Sequence, residues 1–128
     1  MKPVRTWILI ADGARARVVM NDGPGHGIKP VQGMKFEIDN DNSRDADQET
    51  HEDDKRQFAE ELGQSLSKKL RKNEFDRMII FASPAMLGEL RHSLSSQVMD
   101  KVVEQVPKDL THVPNKDLPK HLEMMLAV

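Results

Sequence analysis

The stretch ILIADGARARVV, residues 8–19, sets an unbroken apolar run against an alternating one, with a single Asp-Gly pair between them. From Trp7 to Ala11 every residue is apolar and several are β-formers, which is how a strand covered on both faces reads. From Ala14 to Met20 the pattern alternates. Ala14, Ala16, Val18 and Met20 share one face, and Arg15, Arg17 and Val19 share the other. Only Asp12 and Gly13 stand between the runs, the pair that accepts positive φ and closes a type I′ hairpin. An acid here has two readings. At the end of a central strand it suits a metal-binding carboxylate of a two-metal site. As the first residue of an Asp-Gly turn it serves the backbone alone. The turn is the preferred reading, because a metal site calls for a second carboxylate on a neighbouring strand and MIIFAS, residues 78–83, offers none.

Outward from this hairpin, the polar turn NDGPGHG leads to a third strand, Val31 to Ile38, and completes a β-meander. A helix of about 20 residues comes next, with Phe58, Leu62, Leu66 and Leu70 on one stripe and Ala59 beside them. Thr50 with Asp53 resembles a capping box, and Lys68, Lys69, Arg71 and Lys72 suit the helix's negative end. Met78 to Ala82 is a second apolar run and a second central strand. Ser83 then reads as an N-cap before Pro84, opening a short helix with Met86, Leu87, Leu90 and Leu94 inward. Lys101 to Val106 fits another strand, and Asn115 to Leu126 a final helix that admits Pro119 only in its first turn. The order is βββ-αβαβ-α: an α/β domain with a mixed sheet and helices packed on it.

All 128 residues fit a single domain, 1–128, with a core sufficient without disulfides or metals. There are no cysteines, no apolar run of the roughly 20 residues that a membrane helix needs, and no secretory pattern at MKPVRTW. A cytoplasmic location is expected. The net charge of −2 hides an asymmetry: residues 39–54, DNDNSRDADQETHEDD, hold eight acids and one base, Arg44. The remainder carries 18 basic and 13 acidic residues, or +5, so a mildly basic body bears a mobile acidic loop and admits a polyanionic partner.

Other motifs are weaker. From Asp41, the oxygens of Ser43, Asp45, Asp47, Glu49 and Glu52 mimic a calcium loop, but Ala46 stands where glycine is required. Gly23, Gly25 and Gly27 join two strands around Pro24, without the strand-to-helix context of a phosphate loop. The five histidines show no metal-ligand spacing and no serine sits in a nucleophile elbow. No catalytic, cofactor or metal residue is therefore assigned. The candidate polyanion contacts are Arg15, Arg17, Lys68, Lys69, Arg71 and Lys72. Without interleaved aromatics, phosphate and shape are the cues that they would read.

The blocks WILIADGARARVV, NDGPGHG, RMIIFASPAMLGELR and KDLTHVP, in that order, resemble the bacterial host attachment protein family over about Trp7 to Leu126. That family is in turn similar to the middle domain of eukaryotic and archaeal class-one peptide release factors and of Pelota. The resemblance implies a ribonuclease-H-like α/β fold in which Asp12 and Gly13 form the turn after the first strand. Release factors carry Gly-Gly-Gln between the third strand and the long helix. Here Gln48 stands alone between Asp47 and Glu49, and so acidic a segment would be repelled by an RNA-lined centre. The expectation is thus a non-enzymatic binding protein, interacting with the ribosome or structured RNA but lacking the release motif. The alternative is an interaction protein that affects host attachment indirectly through a protein partner. A metal-dependent nuclease is a third reading, and fold likeness alone transfers no activity.

Overall fold

A computed structural model of the chain describes residues 3–38 and 48–126, for 48–52 the backbone alone. Five strands, β1 (Thr6–Ala11), β2 (Arg15–Asn21), β3 (Lys29–Glu37), β4 (Arg77–Ala82) and β5 (Val102–Val106), form one sheet in the order β3-β2-β1-β4-β5. β1 pairs antiparallel with β2 and parallel with β4, β2 pairs antiparallel with β3, and β4 runs parallel to β5. Only β2 therefore opposes the others. The two apolar runs became the two central strands, and all of β1 is buried.

Helices α1 (Gln48–Arg71), α2 (Pro84–Ser93) and α3 (Ser96–Met99) cover one face, and α4 (Leu118–Leu122) lies on the other. The alternation in the strands divides the core accordingly. Trp7, Leu9, Val18, Met78 and Ile80 pack beneath Phe58, Leu62, Leu66, Leu87 and Leu90. Ile8, Ile10, Val19, Ile79 and Phe81 pack beneath Leu110, Leu118 and Leu122. This is the mixed α/β sandwich expected.

Several local expectations are corrected. Neither Asp12 nor Gly13 has a positive φ, so the hairpin is not type I′. The bend centres on Gly13 and Ala14 and closes through the Asp12 N–H, which donates to the Arg15 carbonyl at 2.9 Å. Asp12 Oδ1 accepts the N–H groups of Ala14 and Arg15, both at 2.8 Å, so a side-chain acceptor does the work that left-handed backbone would do. α1 starts at Gln48, which takes residues 48–54 out of the expected loop and puts Thr50 inside the helix rather than at its cap. Acids in a first turn are favoured by the helix dipole. Residues 39–47, and with them most of the calcium-loop mimic, lie outside the described residues.

Ser83 occupies the N-cap of α2 but makes no side-chain capping bond. The short α3 escaped the periodicity; Ser95 caps it by accepting the Val98 N–H at 3.2 Å. The expected final helix is a 3₁₀ turn, Asn115–Asp117, followed by the five residues of α4. In β3 the register against β2 slips between Arg17 and Val19, and Gly33, at φ 80°, takes up a bend that a side chain would resist.

Two contacts expose the packing to test. A Cβ on Gly63 of α1 would stand 2.6 Å from the Ser93 carbonyl oxygen at the end of α2, where backbone cannot yield cheaply. Gly63→Ala should cost about 1–3 kcal/mol in urea unfolding, despite alanine's better helix propensity. At the foot of the sheet, the Arg5 guanidinium donates to both Asp76 oxygens at 3.1 Å, and the Arg5 N–H donates to Oδ2 at 2.7 Å. These bonds hold the Asp76 carboxyl below its ordinary value. A depressed folded pKa stabilises above the unfolded value of about 3.9 and loses that contribution as pH falls through the folded one. Asp76→Asn should therefore lower stability at pH 7, with the difference closing as thermal melts are taken below about pH 3.

Candidate functional site

The strand order reverses direction at β1: the chain goes from β1 out to β2 and β3, then returns to β4 on the other side. Open α/β sheets bind ligands beyond the carboxyl ends of strands at such a switch point. Asp12 follows β1 at this end, Ser83 follows β4, and the 107–114 connection follows β5. Beside them lies a cleft of about 650 Å³ lined by Arg15, Arg17, Lys35, Glu37, Thr111, His112 and Asn115, with Ile10, Ala16, Phe36 and Val113 among its apolar walls.

Arg17 builds the cleft. Its Nε donates to Asn115 Oδ1 at 2.9 Å, one terminal nitrogen to the Thr111 carbonyl at 3.1 Å, and the other to the Val113 carbonyl. A guanidinium has five N–H donors, so two remain for a ligand. Burial pushes the Arg17 guanidinium below its ordinary value, yet arginine stays charged in proteins. All three acceptors are neutral, and among the described residues Arg17 forms no ion pair. Directly across the strands stands Lys35, and Arg15 faces Glu37 two pairs along. Like charges opposed across antiparallel strands repel.

On the other side of the same loop, acids gather. Thr111 Oγ1 lies 2.5 Å from Asp109 Oδ1 and 3.2 Å from Asp12 Oδ2, and the Thr111 N–H donates to Asp109 Oδ1 at 2.9 Å. Ligand atoms of Asp12, Asp109 and His112 all lie within 4.8 Å of one another. Arg15 Nε reaches Asp12 Oδ2 at 3.8 Å, and the Lys55 stem from α1 passes over Gly13. Asp12 is thus a turn residue through one oxygen and a member of this cluster through the other. The spacing Asp109-x-x-His112 was the available signal for the cluster, inside a block read only for its resemblance.

The expected basic residues fall into two groups. Arg15 and Arg17 share the cleft, whereas Lys68, Lys69, Arg71 and Lys72 sit at the far end of α1, a helix of 24 residues, or about 36 Å. There Lys69 pairs with Glu74 at 3.7 Å. The glycine loop between β2 and β3 is tied to the buried Asn21, whose amide donates to the carbonyls of Gly23 at 3.0 Å and Gly27 at 2.8 Å. Its backbone serves its own closure. Among the described residues no helix is long and apolar enough to cross a membrane.

Residues 40–122 match the model of a family described as "Protein required for attachment to host cells". The match takes in α1 through α4 and the Asp109–His112 loop. No curated protein matches the sequence.

Arg17→Lys tests the cleft's construction. An ammonium is a point donor and cannot span three divergent acceptors. Stability should fall by about 2 kcal/mol, and amide exchange should quicken at Thr111 to Asn115 more than in β1 or β4.

Proposed function

This chain belongs to the family of proteins required for attachment to host cells, and we propose that it acts as a non-enzymatic binding protein whose basic cleft takes the phosphate backbone of structured RNA. The observation that carries this reading is the opposed pair Arg17 and Lys35, with Arg15 beside them. Facing cations cost stability in the free protein, by about 0.2–1 kcal/mol for such a cross-strand pair. An anion laid between them removes the repulsion and gains charge-assisted hydrogen bonds from a guanidinium already held in place.

Phe36 lines the cleft but also packs on the α1-side core, so it is poorly placed to receive a stacked base. Phosphate and shape are therefore the features to be recognised, as in double-stranded or folded RNA. The resemblance of the family to release-factor middle domains supports the translation apparatus as the source of that RNA. With no glycine before Gln48, the chain carries no peptide-release function in this reading. It works in the cytoplasm, and its effect on attachment is indirect. The family description favours a second reading, in which a protein partner in attachment is the ligand.

Fluorescence anisotropy with a labelled RNA hairpin separates these readings. The wild-type chain should bind with an affinity that falls steeply with salt. Arg15→Ala with Lys35→Ala should weaken binding at least tenfold and flatten the log–log salt slope by about 1.5. Lys68→Ala with Lys72→Ala, at the far end of α1, should change it less. Wild-type chain that ignores RNA at about 50 mM salt would leave the protein-partner reading standing alone.

A further inference from the structure

We infer that Asp12, Asp109 and His112 form a binding site for a first-row divalent cation of the zinc or manganese type. The three come from two segments, the β1–β2 turn and the loop after β5, and the fold brings them to the carboxyl end of β1. Asp12 is held there. Its side chain is 19% exposed, and its Oδ1 is occupied by two backbone N–H groups, which leaves Oδ2 as the oxygen turned to the cluster.

The two carboxylates of the cluster share one hydroxyl donor. Asp12 and Asp109 converge on Thr111 Oγ1, and a hydroxyl has one hydrogen, so it satisfies one carboxylate at a time. Arg15 touches Asp12 only at 3.8 Å, and among the described residues Asp109 has no ion-pair partner. The imidazole of His112 is exposed and forms no hydrogen bond among the described residues, so a ring nitrogen is available.

Two carboxylate oxygens with one imidazole nitrogen select against calcium and magnesium, which favour all-oxygen shells, and for ions that accept mixed donors. Donors around an ion at about 2.1 Å lie about 3 to 4 Å apart. The present separations, all within 4.8 Å, would close by a turn of the exposed His112 side chain and a smaller shift of Asp109, whose Oδ1 is held by Thr111. Three protein ligands leave coordination positions open, as in zinc sites that exchange a ligand. One wall leads to the cleft, because His112 lines it as well. The site stands whether or not RNA is the cleft's ligand.

Calorimetric titration of the metal-stripped, untagged chain with Zn²⁺, and in parallel with Mn²⁺, tests the site. One ion per chain should bind, zinc more tightly than manganese. Asp109→Asn and His112→Ala should each weaken that binding at least tenfold while leaving circular dichroism unchanged. Mn²⁺ should broaden the amide signals of Gly13 and Thr111 first. Either no uptake, or uptake that both variants match without broadening at those amides, overturns the proposal and assigns any bound ion to other acids such as those of 39–54.

Discussion

The hydrogen bonds of one guanidinium, that of Arg17, join the sheet to the loop that supplies one wall of the cleft and two members of the acidic cluster. The loop of residues 107–114 leaves β5, crosses the top of the sheet and enters the 3₁₀ turn before α4. Leu110 is buried beneath it, and Leu118 and Leu122 anchor α4 beyond the turn. Between these apolar anchors the backbone presents carbonyls that would otherwise lie half-buried and unpaired. Arg17 takes two of them and the Asn115 amide oxygen. A lysine lacks the fork for this, and a neutral residue would leave the carbonyls costly and the cleft uncharged. Structural demand and surface charge thus fall on one side chain.

What could be read in the sequence, and what could not, divides along physical lines. β1 and β4 were legible because a strand covered on both faces has no polar residue to interrupt it, and the faces of β2 because alternation has period two. The turn between β1 and β2 was legible in place and wrong in type. Asp-Gly promises a left-handed bend, but the Asp12 carboxylate supplies acceptors that close one without a positive φ. The start of α1 was misplaced because acids read as loop by composition and as helix start by electrostatics, and the second effect prevailed. The C-terminal helix was overextended because Leu118 and Leu122 keep helical spacing while the chain is helical for barely more than one turn.

The site shows the same division more sharply. Arg15 and Arg17 were visible as one face of a strand. Lys35 was not, because its place opposite Arg17 depends on a register that slips two residues further on. Asp109, Thr111 and His112 were invisible as partners of Asp12: Thr111 is 99 residues from the aspartate that it bonds. No local period encodes such a contact. It follows from topology, since parallel addition of β4 and β5 returns the chain to the end of the sheet where β1 finished.

Both signs of charge therefore meet on one short loop, and their proximity has a thermodynamic consequence. Asp12 and Asp109 repel any phosphate that approaches His112 from the cleft, most strongly through the part-buried Asp12. A divalent ion held there as proposed would offset their charge. Cation and anion would then bind with positive coupling. Linkage makes that coupling reciprocal: whatever factor the ion adds to the anion's affinity, the anion adds to the ion's. Salt would oppose the coupling, since it screens the cleft more than the half-buried Asp12. A protein built this way responds to the joint presence of two ligands, and the sheet beneath them does not have to move.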